Sequence, residues 1–275
     1  MILTRKQFRA IVFGSPMKRT KTLRDYTPNI SNIMNRAEAT LIGLLFTDGC
    51  LSPKGRSGWR FYFSNKSERL VAIFRECMMQ CFALPASRVR LGMTNDGLHR
   101  AIVDSKNAGD ALTRKFGTFR TLRYKNGILP KARLPVQELL QHNVAEDFLR
   151  VAFSSDGGVN LYVARRSGAR GGTRWLIRGV YLACAHSALR RDYCELLRAL
   201  GIRVRNVAGD GKVKIETEKD IRAFQKKVGF IEGVHITHTS RFWPEVEKQD
   251  LLNRLVESYE VPSTVYQLPQ FDLVK

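Results

Sequence analysis

A mostly apolar run ending in Asp-Gly occurs twice in this chain, as LIGLLFTDG (Leu41 to Gly49) and LRVAFSSDG (Leu149 to Gly157), and the stretches downstream of the two copies are alike. After the first come a strand-like RFYFSN, a helix-like SERLVAIFRECMMQCFAL, a short hairpin RVRLGMTNDGLHRAIV and a helix-like NAGDALTRKFG. After the second the order recurs as GVYLACAH, SALRRDYCELLRALGI, RVRNVAGDGKVKIE and TEKDIRAFQKKVGF. The offsets hold nearly constant, at 108 residues between Asp48 and Asp156, 120 between Ser67 and Ser187, and 112 between Gly117 and Gly229. The differences put about a dozen extra residues into the first hairpin of the second copy, around RRSGARGGTR, and about eight fewer near its second hairpin, where turns absorb length changes. The chain therefore predicts a tandem duplication of a helix, hairpin, helix, hairpin, helix unit. The first copy spans residues 36–135 and the second 136–275, with 1–35 as a basic N-terminal extension.

Both aspartates need a physical reason. A helix from Arg36 to Thr47 shows Ala39, Gly43 and Thr47 at intervals of four, a stripe of small residues that lets another backbone approach, and Gly49 reads as its left-handed cap. A carboxylate at a helix C-terminus faces the negative end of the macrodipole, which is unfavourable by some tenths of a kcal/mol. If the two copies are related by a pseudo-twofold axis and pack along that stripe, Asp48 and Asp156 lie side by side. Two close carboxylates repel unless a positive group sits between them. Hard oxygen ligands with open positions suit Mg2+, which activates water and stabilises phosphate leaving groups.

Composition narrows the partner. A chain of 275 residues, 44% hydrophobic, buries a proper core as one large domain or two ordinary ones. No apolar run reaches the roughly 20 residues that span a bilayer, and the N-terminus lacks a secretory signal, so the expectation is a soluble, intracellular protein of the cytoplasm, an organelle or the nucleus. The five cysteines form no CxxC pair and read as reduced thiols, Cys77 and Cys81 as core packing. His235 and His238 read as loop histidines. The formal charge of +21 calls for a polyanion, nucleic acid first. Residues 1–24 and 157–191 each carry seven basic residues and no acid, the second tract interleaved with Trp175, Ile177, Tyr181 and Leu182.

Alternation along the strands sorts side chains between two faces. Phe61 and Phe63 point one way and Arg60, Tyr62 and Ser64 the other; Val213 and Ile215 oppose Lys212 and Lys214. In register, Arg90, Arg100, Arg178, Arg203 and Arg205 join the polar face, with few acids among them, and Arg174 is added from the same basic tract. Such a face fits a DNA major groove, where Arg is suited to guanine.

The two nine-residue runs resemble the LAGLIDADG motif, and the repeat as a whole, over residues 36–259, resembles a single-chain, two-motif LAGLIDADG homing endonuclease. The resemblance implies an α+β fold, a pseudo-twofold tandem repeat of αββαββα units whose two antiparallel sheets form a DNA-binding saddle. It also implies sequence-specific, metal-dependent double-strand cleavage by a monomer. By matching position, Asp48 and Asp156 become the metal ligands, for Mg2+ with Mn2+ as an alternative, while Ca2+ supports binding without cleavage. Asn65 matches the polar residue that assists the water network, whereas the aligned Ala185 cannot. Lys125 matches the basic residue after the last helix of the first repeat, and Arg241 is its choice in the second. Val151 replaces the motif's small glycine and leaves the helix spacing open. An intron RNA maturase using the same basic sheet, and a transcription regulator on an inactive scaffold, are the alternative readings.

Overall fold

The computed structural model describes residues 33–55, 58–124, 126–166 and 173–260. The elements run α1 (Arg36–Phe46), β1 (Gly49–Pro53), β2 (Trp59–Asn65), α2 (Glu68–Phe82), β3 (Arg90–Met93), β4 (His99–Asp104) and α3 (Lys106–Phe116), then α4 (Val136–Gln141). The second series is α5 (Ala145–Asp156), β5 (Gly157–Arg166), β6 (Thr173–Ala183), α6 (Ser187–Ala199), β7 (Arg205–Val207), β8 (Lys212–Ile215), α7 (Glu218–Lys227) and α8 (Lys248–Glu257). Two four-stranded antiparallel sheets result, ordered β1-β2-β4-β3 and β5-β6-β8-β7. The fold is thus α+β and internally duplicated, each unit reading αββαββα.

Local chemistry sets the helix starts. Asn35, Ser67, Ser105 and Thr217 each accept a hydrogen bond from the backbone N–H three residues on, satisfying donors that a helix leaves unpaired. Strand alternation sets the layers. Phe61, Phe63, Ala101 and Val103 in the first sheet, and Val180, Leu182, Val213 and Ile215 in the second, are buried, Phe63 stacking on Phe74 of α2 with ring centroids 5.2 Å apart.

The motif helices α1 and α5 pack against each other across the duplication. Gly43 makes this approach feasible, since a Cβ there would stand 2.5 Å from Cγ1 of Val151 and 3.1 Å from the Phe148 carbonyl oxygen. Val151 therefore occupies the space that Gly43 leaves, and one glycine serves where two were expected. The reading of Gly49 as a left-handed cap is corrected: it is absent from the positive-φ residues, and Gly157 has φ −101°. Glycine is needed there for clearance, because a Cβ at Gly49 would lie 2.7 Å from Leu45 Cα and one at Gly157 2.5 Å from the Phe153 carbonyl oxygen.

The stretch 126–135 leads into the second unit and is held there. The Arg133 guanidinium grips the buried Asp192 carboxylate of α6 at 2.7 to 3.0 Å, and the Leu134 N–H donates to the same carboxylate at 2.9 Å. Among the described residues no helix is long and apolar enough to cross a membrane.

Candidate active site and nucleic-acid interface

Asp48 and Asp156 emerge from the C-terminal ends of α1 and α5 and line one open cleft of about 670 Å3 between the two units, together with Asn65, Ser155, Tyr162, Tyr181, Trp243 and Lys248. The backbones differ at the two ends. Helix α1 closes at Phe46, and Asp48 sits in the turn beyond it; α5 runs on through Asp156 itself.

Asp48 is held from both units. The Asn65 side chain donates to its Oδ2 at 2.6 Å, and the Ser155 hydroxyl, from the other unit's motif, donates to the same oxygen at 2.5 Å. The Ser67 N–H donates to Asn65 Oδ1 at 2.7 Å, which orients the amide with its NH2 toward Asp48. Oδ1 of Asp48 has no hydrogen-bond partner among the described residues.

Asp156 has no such frame among the described residues, and is governed by charge. Burial first, and then the Asp48 charge, push its carboxyl up to about 7, with the Lys248 ammonium opposing. Lys248 is itself buried, and burial pushes it down to about 8 against the pull of Asp156 and Asp48. Its Nζ donates to the carbonyl oxygens of Ser154 and Gly157, both at 2.7 Å. Those carbonyls lie at the negative end of α5, where a cation is favoured.

Sequence reasoning missed Lys248 and Ser155. Lys248 left one signal: it is the first residue of α8, where a cation opposes the dipole, and such a placement needs a reason outside its own helix. Ser155 left none, since its partner belongs to the other unit. Arg241, offered as the second-unit basic residue, is exposed, with its guanidinium 5.4 Å from the Phe242 ring centroid and outside the cleft lining. Phe242 instead turns to stack on Tyr162 of β5 at 4.7 Å. Lys125 lies outside the described residues.

A second cleft of about 400 Å3 opens on the other side of Asp156, lined by Thr121, Leu122, Ala185 and His186. The expected match of Ala185 to Asn65 is corrected by one residue. Gly49 pairs with Phe63 and Gly157 with Leu182, and the following helices are capped by Ser67 and His186. Cys184 therefore stands where Asn65 stands, and its thiol is turned to the His186 carbonyl at 3.6 Å.

The polar faces of the sheets need revision. Arg60, Tyr62, Ser64, Arg90 and Arg100 share one face of the first sheet, as expected, and Arg205, Lys212 and Lys214 one face of the second. Acids share these faces, contrary to expectation. Asp104 lies opposite Arg60 in register, Arg205 pairs with Glu216 at 3.0 Å, and Lys214 with Asp210 at 2.7 Å. Arg178 belongs to the other face: it lies opposite the buried Leu161, and its guanidinium donates to Ser258 beyond α8 and covers the Tyr259 ring at 4.5 Å. Arg203 precedes β7 and leans on Asp220 of α7 at 3.4 Å. Arg174 stands in β6 opposite Arg165, with its side chain outside the described residues, as is the hairpin tip around Gly168. Arg100 lies over Gly92 without an ion pair among the described residues, and Lys212 rests over the Tyr181 ring at 4.8 Å.

The chain matches no known protein-family model and no curated protein. Solved structures do resemble it. The homing endonuclease I-WcaI bound to its DNA recognition sequence is 17% identical, with 82% of this chain and 95% of that one covered and a TM-score of 0.48. The LAGLIDADG meganuclease I-AabMI bound to uncleaved DNA is 12% identical, covering 82% and 91% with a TM-score of 0.44. The N-terminal LAGLIDADG domain of DUF199/WhiA is 14% identical, covering 73% and 85% with a TM-score of 0.39.

Proposed function

We propose that this chain is a LAGLIDADG-type endonuclease that binds a specific duplex DNA sequence across its two sheets and cuts both strands with the aid of divalent cations. The observation that carries the reading is the pair of carboxylates at equivalent points of the duplication, Asp48 and Asp156, brought to one cleft with a single buried lysine.

The residues fit a divalent cation. Two acids lining one cleft, with backbone carbonyls nearby, form a hard oxygen donor set with few protein ligands, as suits Mg2+ retaining its own waters. Mn2+ would serve the same set. Such an ion, when bound, lowers the pKa of coordinated water and stabilises charge on the leaving oxygen.

The chain's own groups do the rest. Asn65 and Ser155 fix Asp48 through Oδ2, so that Oδ1 is presented in one orientation without rearrangement. Lys248, with two of its three N–H groups on carbonyls, keeps the third to meet a phosphate oxygen and supplies positive charge beside Asp156. The cationic sheet faces supply sequence-independent attraction to phosphate, and Arg100 and Tyr62 stand where base edges would pass.

The test is incubation with a randomised duplex library in Mg2+ and in Ca2+, sequencing bound and cut molecules. Selection of one sequence in Ca2+ and cutting of that sequence in Mg2+ is expected. Tight, selective binding without cutting would favour a regulator, and preference for folded intron RNA over duplex would favour a maturase.

A further inference from the structure

The end of the first sheet farthest from the carboxylates carries an ion cluster that the cleavage chemistry does not use. The Asp104 carboxylate receives Arg60 side-on, Nε to Oδ1 at 2.8 Å and Nη2 to Oδ2 at 3.1 Å. Lys54 and Arg90 also reach Oδ2, each at 2.8 Å, and Arg88 donates to the Asp104 carbonyl at 3.2 Å. One acid thus gathers three cations on the face that the sheet turns away from its helices. Arg60, with Lys54 and Arg90, draws the Asp104 carboxyl well below the ordinary carboxylate range.

The side-on grip matters more than the charge. A guanidinium has five N–H donors in a planar fork, and binding through Nε and one hydrogen of Nη2 leaves Nη1 and the other Nη2 hydrogen pointing outward together. That outward pair matches O6 and N7 of guanine on its major-groove edge. Exposed ion pairs add little to stability, so the cluster's value lies in orientation. A free arginine loses rotamer entropy when it binds a base; one already fixed loses less and tolerates fewer alternatives.

We infer that Asp104 is a specificity-determining residue, a buttress that locks Arg60 as a guanine reader in the outer part of the half-site facing the first sheet. Arg60 lies five residues along β2 from Asn65 at the active centre, about 16 Å, which corresponds to about five base pairs from the middle of the site. The second sheet has no equal device among the described residues: Glu216 holds Arg205 through one contact, and Gly179 of β6, paired with Asn160 of β5, has no side chain to be held. The two half-sites are therefore read with unequal stringency. The inference rests on the proposed binding of specific duplex DNA.

The experiment is duplex selection from a randomised library in Ca2+ by the full chain, wild type beside Asp104→Asn, Arg60→Lys and Glu216→Gln, with thermal melting of each. Wild type should demand guanine at one or two outer positions of one half-site. Asp104→Asn and Arg60→Lys should relax those same positions by roughly tenfold while keeping overall affinity, and Glu216→Gln should leave them unchanged. Arg60→Lys keeps the charge and so carries the test should Asp104→Asn melt early. If wild type selects a site and both variants select it with the same stringency, the buttress is overturned and the binding function stands. If wild type selects no sequence, both fall.

Discussion

The two motif ends solve one problem in different ways. Each helix must satisfy its last carbonyls beside an aspartate that its dipole disfavours. In the first unit the Thr47 hydroxyl donates back to the Gly43 and Leu44 carbonyls, a neutral local cap, and the carboxylate is held by Asn65 and Ser155. In the second unit the carbonyls of Ser154 and Gly157 are met by the Lys248 ammonium, and the charge of the same cation acts on the carboxylate. Hydrogen bonds organise one acid and charge organises the other. A duplicated sequence therefore need not yield a symmetric site, because the groups that complete each motif come from outside it.

The largest effect expected to expose this difference is on cleavage. Asp48→Asn and Asp156→Asn should each lower cutting of both strands by roughly a thousandfold in Mg2+ with binding in Ca2+ retained. Lys248→Met should lower it by about 100-fold, with the loss greater on one strand, since the first unit has no lysine in this role among the described residues. Undiminished cutting by any of the three removes that residue from the site.

A smaller effect separates the strands. Asn65→Ala should slow one cut by about tenfold and let a nicked duplex accumulate, while Cys184→Asn should speed the other. Labelled-strand time courses decide the matter: equal rates on both strands in wild type and variants would break the proposed asymmetry.

The smallest effect is on stability, measured by thermal melting in EDTA. The folded Asp156 carboxyl, at about 7, keeps its proton where the unfolded one has lost it, so stability should fall as pH rises from about 4 to 7. Lys248 acts in the other direction: at about 8 it sheds its proton in the folded state while the unfolded lysine keeps it up to about 10.5, so stability should recover across that window. Asp156→Asn should flatten the acid limb. An acid limb unchanged in that variant would mean that Asp156 is not the group in conflict.

Much of the molecule is legible in its residues because it is local or periodic. The repeat fixes the element order, the period-two alternation at Phe61, Phe63, Val213 and Ile215 sorts the sheet faces, and the small residue at Gly43 announces the helix contact. The corrections have physical causes too. The expected register puts Arg178 on the polar face, whereas its pairing opposite the buried Leu161, in step with Val180 and Leu182, places it on the other. The acid Asp104 gains its meaning only when antiparallel pairing sets it across from Arg60.

Periodicity and motif spacing are properties of neighbours along the chain, and they suffice for the duplication, the strand faces and the two acids. The groups that complete those acids are a matter of tertiary structure alone. Ser155 reaches Asp48 across the two units, and Lys248 returns to α5 from far along the chain, as its bond to Ser154 spans 94 positions. Pairings of that kind depend on how helices pack and where loops re-enter, and side-chain chemistry read in order along the chain carries no record of them.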